Sequence, residues 1–147
     1  MDSEKSIALE WFLYAENDYE VAVLLSKQVK PKLEIACYHC QQCIEKYLKG
    51  FIASKGGMLQ KTHSLVVLCN VCISYDERFN NILEMCANLT VYGSEVRYPN
   101  KSEIDVSHMN KALEETSKII EFVKVVTKKL LNLKKWRLLT ISEGILN

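Results

Sequence analysis

Residues 33–55 have the sequence LEIACYHCQQCIEKYLKGFIASK and are followed by the pair Gly56-Gly57. Apolar side chains recur in this stretch at steps of three and four residues, the period of one α-helical face. These side chains are Ala36, Cys37, Cys40, Cys43, Ile44, Tyr47, Leu48, Phe51 and Ile52. Glycines directly after such a pattern are typical of a helix C-terminus. The stretch therefore predicts a long amphipathic helix from about residue 33 to 55.

The opposite arc of this helix is polar and contains Tyr38, Gln42, Glu45, Lys46 and Lys49. Gln41 is an exception, because helical spacing places it between Leu48 and Ile52 on the apolar side. A buried amide needs a hydrogen-bond partner. We therefore expect the Gln41 amide to have a hydrogen-bond partner.

The rest of the chain predicts helices as well. The same periodicity marks residues 7–27, residues 77–91 and a last helix that starts at 102–105 and continues to 130. Thr62 is a suitable N-cap for a further helix that runs through Cys72. Residues 92–102 are expected to form a loop, with Gly93 and Pro99 as its breakers.

Together these segments predict an all-α fold, an antiparallel up-and-down bundle of four or five helices. We assign residues 1–147 to a single domain with its core at about 7–130, followed by a basic C-terminal extension at 131–147. The last predicted helix carries an apolar stripe over more than three heptads. Such a stripe suits packing in a bundle or a dimer seam, and we expect a homodimer.

The composition is that of an ordinary soluble protein, with 48% hydrophobic and 25% charged residues. A formal net charge of +1 gives no overall field that would demand nucleic acid or a membrane as partner. The acidic start and the lack of a long apolar stretch indicate neither a secretory signal nor a membrane span. Six cysteines in such a chain indicate free thiols in a reducing compartment, so we expect a cytoplasmic protein.

Four motifs occur in an order and spacing that resemble the HEPN domain family over roughly residues 11–125. They are Trp11-(x3)-Ala15-(x2)-Asp18-(x3)-Ala22, Ala36-(x4)-Gln41-Gln42-Cys43-Ile44-Glu45-Lys46-Tyr47-Leu48-Lys49, Lys61-Thr62-His63-Ser64-Leu65 and Tyr92-(x4)-Arg97-Tyr98-Pro99. The chain departs from the family pattern at Cys43, where alanine is usual. The resemblance implies a helical bundle that commonly dimerises and that acts on or binds nucleotides or RNA.

The resemblance also implies a partner, because many HEPN proteins are the toxin half of a toxin–antitoxin pair with a small nucleotidyltransferase. Active ribonucleases of the family carry an arginine followed four to six residues later by a histidine. Here Arg97 is followed at those positions by Lys101, Ser102 and Glu103. The Arg-Tyr-Pro sequence is more similar to the non-nuclease branch, for which nucleotide or partner binding is the usual suggestion.

Arg97, with Tyr98 beside it, is the first candidate for binding a nucleotide or RNA. A guanidinium next to a rigid proline turn, just before a helix N-terminus, can hold a phosphate through two hydrogen bonds. The alternative is a structural salt bridge from Arg97 to Asp18 or Glu45.

Lysines and histidines provide the remaining candidates. Lys46 and Lys49 could contact phosphates or could belong to a solvated helix face. His63 could bind a ligand or close one end of the bundle. His108 could act as a general acid or base with Arg97, or it could be a solvent-exposed helix histidine.

Metal and cofactor sites are not expected. Four thiolates could formally come from Cys37, Cys40, Cys43, Cys69, Cys72 and Cys86, but the first three follow the apolar arc of a regular helix. Cysteine also behaves as a small hydrophobic residue in protein cores. The stretch 124–137 is basic and amphipathic, and it could contact RNA, an acidic partner or a second subunit.

Three hypotheses follow for the function. The first is a binding module that recognises a nucleotide, an RNA phosphate or a nucleotidyltransferase partner without hydrolysing it. The second is a metal-independent endoribonuclease toxin that uses Arg97 and an atypical histidine such as His108. The third is a structural subunit that forms a dimer.

Overall fold

The computed structural model describes residues 2–93 and 104–128. These residues form five α-helices: α1 (Asp2–Ser26), α2 (Leu33–Ser54), α3 (Leu65–Tyr75), α4 (Leu83–Thr90) and α5 (Val106–Thr127). A 3-10 helix at Glu77–Ile82 precedes α4, and the described residues contain no strand. The prediction of an all-α helical bundle is therefore confirmed.

Helices α1 and α2 form a closely packed antiparallel pair. Trp11 and Phe12 lie against Gly50 near the end of α2, whereas Asp18 further along α1 meets His39 nearer the start of α2. The rings of Phe12 and Tyr47 stack with their centroids 5.3 Å apart. Because Gly50 has no side chain, the two helices can approach closely at this point.

The segment between α2 and α3 runs back along α2. Consequently the carbonyl of His63, just before α3, lies 3.0 Å from the amide nitrogen of Gln41 in the first half of α2. Further along both helices, the Cys72 thiol lies 3.7 Å from the Leu48 carbonyl. At this contact α3 therefore runs in the same sense as α2, unlike the antiparallel α1–α2 pair.

All five helices contribute to the core, and α1 does so through Ala8, Phe12, Ala15 and Ala22. The ring of Phe79 lies 4.4 Å from that of Phe51 in α2 and 5.0 Å from that of Phe122 in α5, measured between centroids. All six cysteine thiols are buried in the same core. These contacts leave one side of α2, between α1 and the start of α3, to form the surface that contains the candidate site.

The helix boundaries correct the sequence predictions in two places. The predicted N-cap Thr62 is wrong, since Ser64 caps α3 by accepting from the Val67 amide at 3.3 Å. Thr62 instead accepts from the Ser64 amide and so orders the turn before the cap. The predicted helix at 77–91 begins as a 3-10 helix, with the Asp76 side chain accepting from the Arg78 amide at its start.

Three further predictions concern the start of the last helix, the turn before it and the C-terminal extension. The predicted start of the last helix is confirmed, because Asp105 is the N-cap and Val106 the first residue of α5. The Arg97-Tyr98-Pro99 turn and the basic extension at 131–147 lie outside the described residues. None of the helices in the described part has the length and hydrophobicity needed to cross a lipid bilayer.

Candidate functional site

A buried carboxylate holds an exposed histidine at the junction of α2 and α3. Glu45 of α2 is 5% exposed, and its Oε1 lies 3.0 Å from Nδ1 of His63, whose side chain is 73% exposed. One helical turn further along, the Lys49 ammonium pairs with the other carboxylate oxygen at 3.2 Å. We call Glu45, Lys49 and His63 the carboxylate–histidine cluster.

Gln41 fixes the backbone under this cluster. Its buried amide donates to the His63 carbonyl at 3.0 Å and lies 3.4 Å from Oε1 of Glu45. Its carbonyl oxygen accepts from Gln42 at 2.8 Å. The partner that the sequence requires for a buried amide is therefore supplied by the segment before α3 and by α2 itself. Gly93 lies beside the same amide, since a Cβ added to Gly93 would be 3.7 Å from Gln41 Nε2.

A second polar cluster joins α1 to α2. Asp18 of α1 accepts from Nδ1 of His39 at 2.9 Å and also forms an ion pair with Lys46, both on α2. All three side chains are partly buried. The two carboxylates on this side of the bundle thus each hold one lysine and one histidine, which neutralises much of the positive charge there.

A family model described as HEPN domain matches residues 8–126, which include every residue of both clusters. The chain belongs to the HEPN family. No curated protein and no solved structure gives a significant match.

The lysines of this HEPN domain differ in their surroundings. Lys49 is only 9% exposed and is paired with Glu45, so the interpretation of a solvated face is wrong for Lys49. Lys46 is more accessible but is paired with Asp18. Arg97 and Tyr98 lie outside the described residues. Asp18 and Glu45, which the sequence offered as salt-bridge partners of Arg97, each have other partners within α1, α2 and the segment before α3.

His108 takes part in the N-terminal cap of α5. The Asp105 side chain accepts from the His108 amide at 3.0 Å, and Nδ1 of His108 lies 3.2 Å from the Asp105 amide. This reciprocal arrangement is a capping box. The exposed helix position that the sequence suggested for His108 is confirmed. Its side chain has a structural role, because it takes part in the N-terminal cap of α5.

The cysteine side chains behave as core residues of the HEPN domain. Burial raises the pKa of Cys37 to about 12 and that of Cys40 to about 11. Burial also raises the pKa of Cys43 and of Cys72. Among residues 2–93 and 104–128, no group of three or more histidine, cysteine or acidic side chains is arranged to hold a metal ion.

Two features of the structure were not predicted from the sequence. Glu16 is 4% exposed, accepts from the Tyr47 hydroxyl and lies 3.8 Å from the Lys124 ammonium, so it links α1, α2 and α5. Its position four residues after Phe12 and three before Tyr19, on the apolar side of α1, was the available signal. The second feature is a groove beside Trp11, which had no sequence signal because the segment after α2 forms one of its walls.

Proposed function

We propose that this HEPN domain is a binding module for a phosphate group of a nucleotide or an RNA. The observation that carries the proposal is the His63–Glu45 pair: an exposed imidazole whose Nδ1 is held by a buried carboxylate. Because Nδ1 is occupied, the ring has a defined orientation and Nε2 is left for a ligand. A histidine that a neighbouring carboxylate holds in this way is preorganised to donate a hydrogen bond to a ligand oxygen.

The chemistry of the ring fits a phosphate. When the imidazole is protonated, both nitrogens are donors, so Nδ1–H can bond to Glu45 while Nε2–H bonds to a phosphate oxygen. Hydrogen bonds between charged partners are stronger than those between neutral groups. His63 could therefore supply one strong contact, although a single contact would not hold a nucleotide tightly.

Arg97 and Tyr98 are the proposed source of further contacts. Arg97 is four residues beyond Gly93 in the sequence, and Gly93 lies beside the Gln41 amide under His63. A guanidinium can bind two phosphate oxygens at once, which a lysine cannot do with the same geometry. In the proposed site Lys46 offers a partly exposed ammonium group to the phosphate, although Asp18 offsets much of its charge. Lys49 acts through Glu45, which it holds in place.

The test is a calorimetric titration with AMP, GMP and a short single-stranded RNA at low ionic strength. We expect binding that weakens about tenfold or more in His63→Ala and in Arg97→Ala. Arg78→Ala is the matched control, because Arg78 is exposed and pairs with Asp76 at the far end of α3. Equal binding by all four proteins, or none at millimolar ligand, would refute the proposal.

A second measurement separates binding from catalysis. The same proteins are incubated with end-labelled single-stranded RNA in EDTA, and the products are separated on a gel. Intact RNA is expected for a binding module. Cleavage by the wild-type protein that disappears in Arg97→Ala would instead establish a metal-independent ribonuclease.

A further inference from the structure

A groove of about 320 Å³ lies next to the carboxylate–histidine cluster. It is bounded by the first half of α1, the end of α2 and the segment 56–60. Its walls are mainly apolar and include Ile7, Trp11, Ile52, Met58 and Leu59. The polar side chains that line it are Glu4, Gln60 and, on the side of the cluster, Lys49. The volume is near the lower limit of small-molecule sites, and an apolar lining with few polar groups is typical of such sites.

Trp11 contacts two residues of α2 beside this groove. Its Cβ packs against Gly50, where an added methyl group would come within 2.9 Å of it. The ammonium group of Lys49 lies over the indole, 5.9 Å from the ring centroid. A cation at this distance is attracted to the face of an aromatic ring, which helps to orient both side chains.

A chain of side-chain contacts connects the groove to His63. Lys49 lines the groove and pairs with Glu45 at 3.2 Å, and Glu45 in turn holds His63 at 3.0 Å. The aromatic wall is thus separated from the exposed imidazole only by one lysine and one carboxylate. A ligand with a flat apolar part and an anionic part could contact both.

We infer that the Trp11 groove binds the base of a nucleotide whose phosphate lies at His63. The inference rests on the proposed function and names its ligand: a nucleoside monophosphate unit, free or at the end of an RNA. A base can stack on an indole whatever its sequence identity, since every base has a π-face. The small volume fits a base and sugar better than a partner helix, which would need a long continuous apolar surface.

Fluorescence provides a test that leaves the groove intact. The chain has two tryptophans, Trp11 and Trp136, so Trp136→Phe makes Trp11 the only indole. We expect AMP and GMP to quench its emission and to bind about tenfold more tightly than ribose 5-phosphate. A trinucleotide RNA serves as the second arm, and quenching by the RNA alone would identify RNA as the source of the base.

A variant of the groove wall checks the location. Leu59→Glu places a charge on an exposed position, 63% accessible, and should weaken nucleotide binding about tenfold with no change for ribose 5-phosphate. Val125→Glu on α5 is the control, because Val125 is 65% accessible and does not line the groove. Retained folding of both variants is checked by circular dichroism.

The outcomes separate the two proposals. Equal affinity for nucleotide and ribose 5-phosphate, with unquenched Trp11, would overturn the base subsite and leave the phosphate site in place. Quenching of Trp11 that is unaffected by His63→Ala would support the base subsite and overturn the phosphate assignment. Absence of binding by every ligand would overturn both.

Discussion

The Glu45 carboxylate lies 3.0 Å from the His63 ring through one oxygen and 3.2 Å from the Lys49 ammonium through the other. Glu45 and Lys49 are nearly buried, whereas His63 projects into solvent. A buried charge is therefore stabilised by a neighbouring lysine of its own helix and a histidine from the next segment. We therefore expect that removing one partner of an ion pair destabilises the fold more when the pair is buried than when it is exposed.

Glu45→Gln should lower the free energy of unfolding by about 3 kcal/mol, because it leaves the Lys49 ammonium buried without its counter-ion. Urea unfolding followed by circular dichroism measures the change. Glu114→Gln is a matched control, since Glu114 and Lys118 have the same spacing on α5 and a 3.0 Å contact but are exposed. Its expected cost is within about 0.5 kcal/mol.

The double variant Glu45→Gln/Lys49→Met should recover most of the stability lost in Glu45→Gln. Removing both charges of a buried pair leaves no uncompensated ion, so the desolvation cost disappears along with the attraction. A double variant as unstable as Glu45→Gln would contradict this explanation. Equal losses for Glu45→Gln and Glu114→Gln would do the same.

Tyr47→Phe should destabilise the fold by about 2 kcal/mol, the typical value for losing a hydrogen bond to a charged group. The hydroxyl of Tyr47 donates to Glu16 in the interior, where water cannot easily replace it. Tyr14→Phe is the control, because Tyr14 is exposed on α1. Thermal unfolding should show a shift for Tyr47→Phe only, and equal melting temperatures for the two variants would argue against a buried bond.

Gly50→Ala should be destabilising although alanine favours helices. The added methyl group would lie 2.6 Å from a ring carbon of Phe12 and 2.9 Å from the Trp11 Cβ, so α1 and α2 must move apart. Overpacking of this kind costs about 1–3 kcal/mol. An unhindered helical glycine would instead gain up to about 1 kcal/mol on the same change, and a measured gain would show that the contact is absent.

The stability of the α5 N-terminus should depend on acid pH. Hydrogen bonds from Ser107 and from the His108 amide lower the pKa of Asp105 from 3.8 to about 2. The ionised cap therefore stabilises the fold fully above about pH 4, and this contribution is lost as pH falls through 2. In Asp105→Asn the neutral amide still accepts a hydrogen bond but does not titrate.

Acid unfolding between pH 6 and 1.5 checks this expectation. The stability difference between the wild-type protein and Asp105→Asn should be constant above about pH 4 and shrink toward pH 2. Taking the difference cancels contributions from other carboxyl groups, such as Asp76, whose pKa is lowered by Arg78. A difference that does not change with pH in this interval would show that the folded-state pKa of Asp105 is ordinary.

The six thiols should be inert in the native protein. All are buried, which keeps a reagent away from the sulfur atoms. Burial raises the pKa values of Cys37 and Cys40 to about 12 and 11, so little thiolate is present at these two residues at pH 8. A hydrogen bond with Cys86 lowers the pKa of Cys69, so the expected slow reaction of Cys69 rests on its burial. We expect a disulfide reagent such as DTNB to modify the native protein slowly and to titrate six thiols in guanidinium chloride. Rapid modification of one thiol before unfolding would contradict the buried arrangement.

Much of the fold was predictable from local patterns. The apolar residues from Ala36 to Ile52 predicted α2 to within one residue of its observed end, and Asp105 was within the predicted start of α5. The α3 cap was missed because Thr62 and Ser64 are both good N-cap residues and only the backbone path selects Ser64. The segment 77–91 begins where the sequence predicted, but its 3-10 conformation over Glu77–Ile82 was not predicted, because 3-10 and α-helical turns share similar apolar spacing.

The candidate site was predictable only in part. The burial of Gln41 followed from its place between Leu48 and Ile52, but its partner, the His63 carbonyl, comes from a segment 22 positions away. Lys49 was assigned to a polar arc, yet it is buried because the segment after α2 folds back over that side of the helix. Helical periodicity describes one helix, and it contains no information on which neighbour will cover its polar arc.

The sequence by itself determined that this protein is an all-α member of the HEPN family, because helical periodicity and the spaced motifs are properties of the chain. Tertiary structure alone decided that Glu45 is buried, that it holds His63, and that Trp11 borders a groove beside them. Each of these features requires α1, α2 and the returning segment before α3 to meet in space. The physical reason is that burial and ion pairing depend on contacts between elements, which local sequence preferences do not specify.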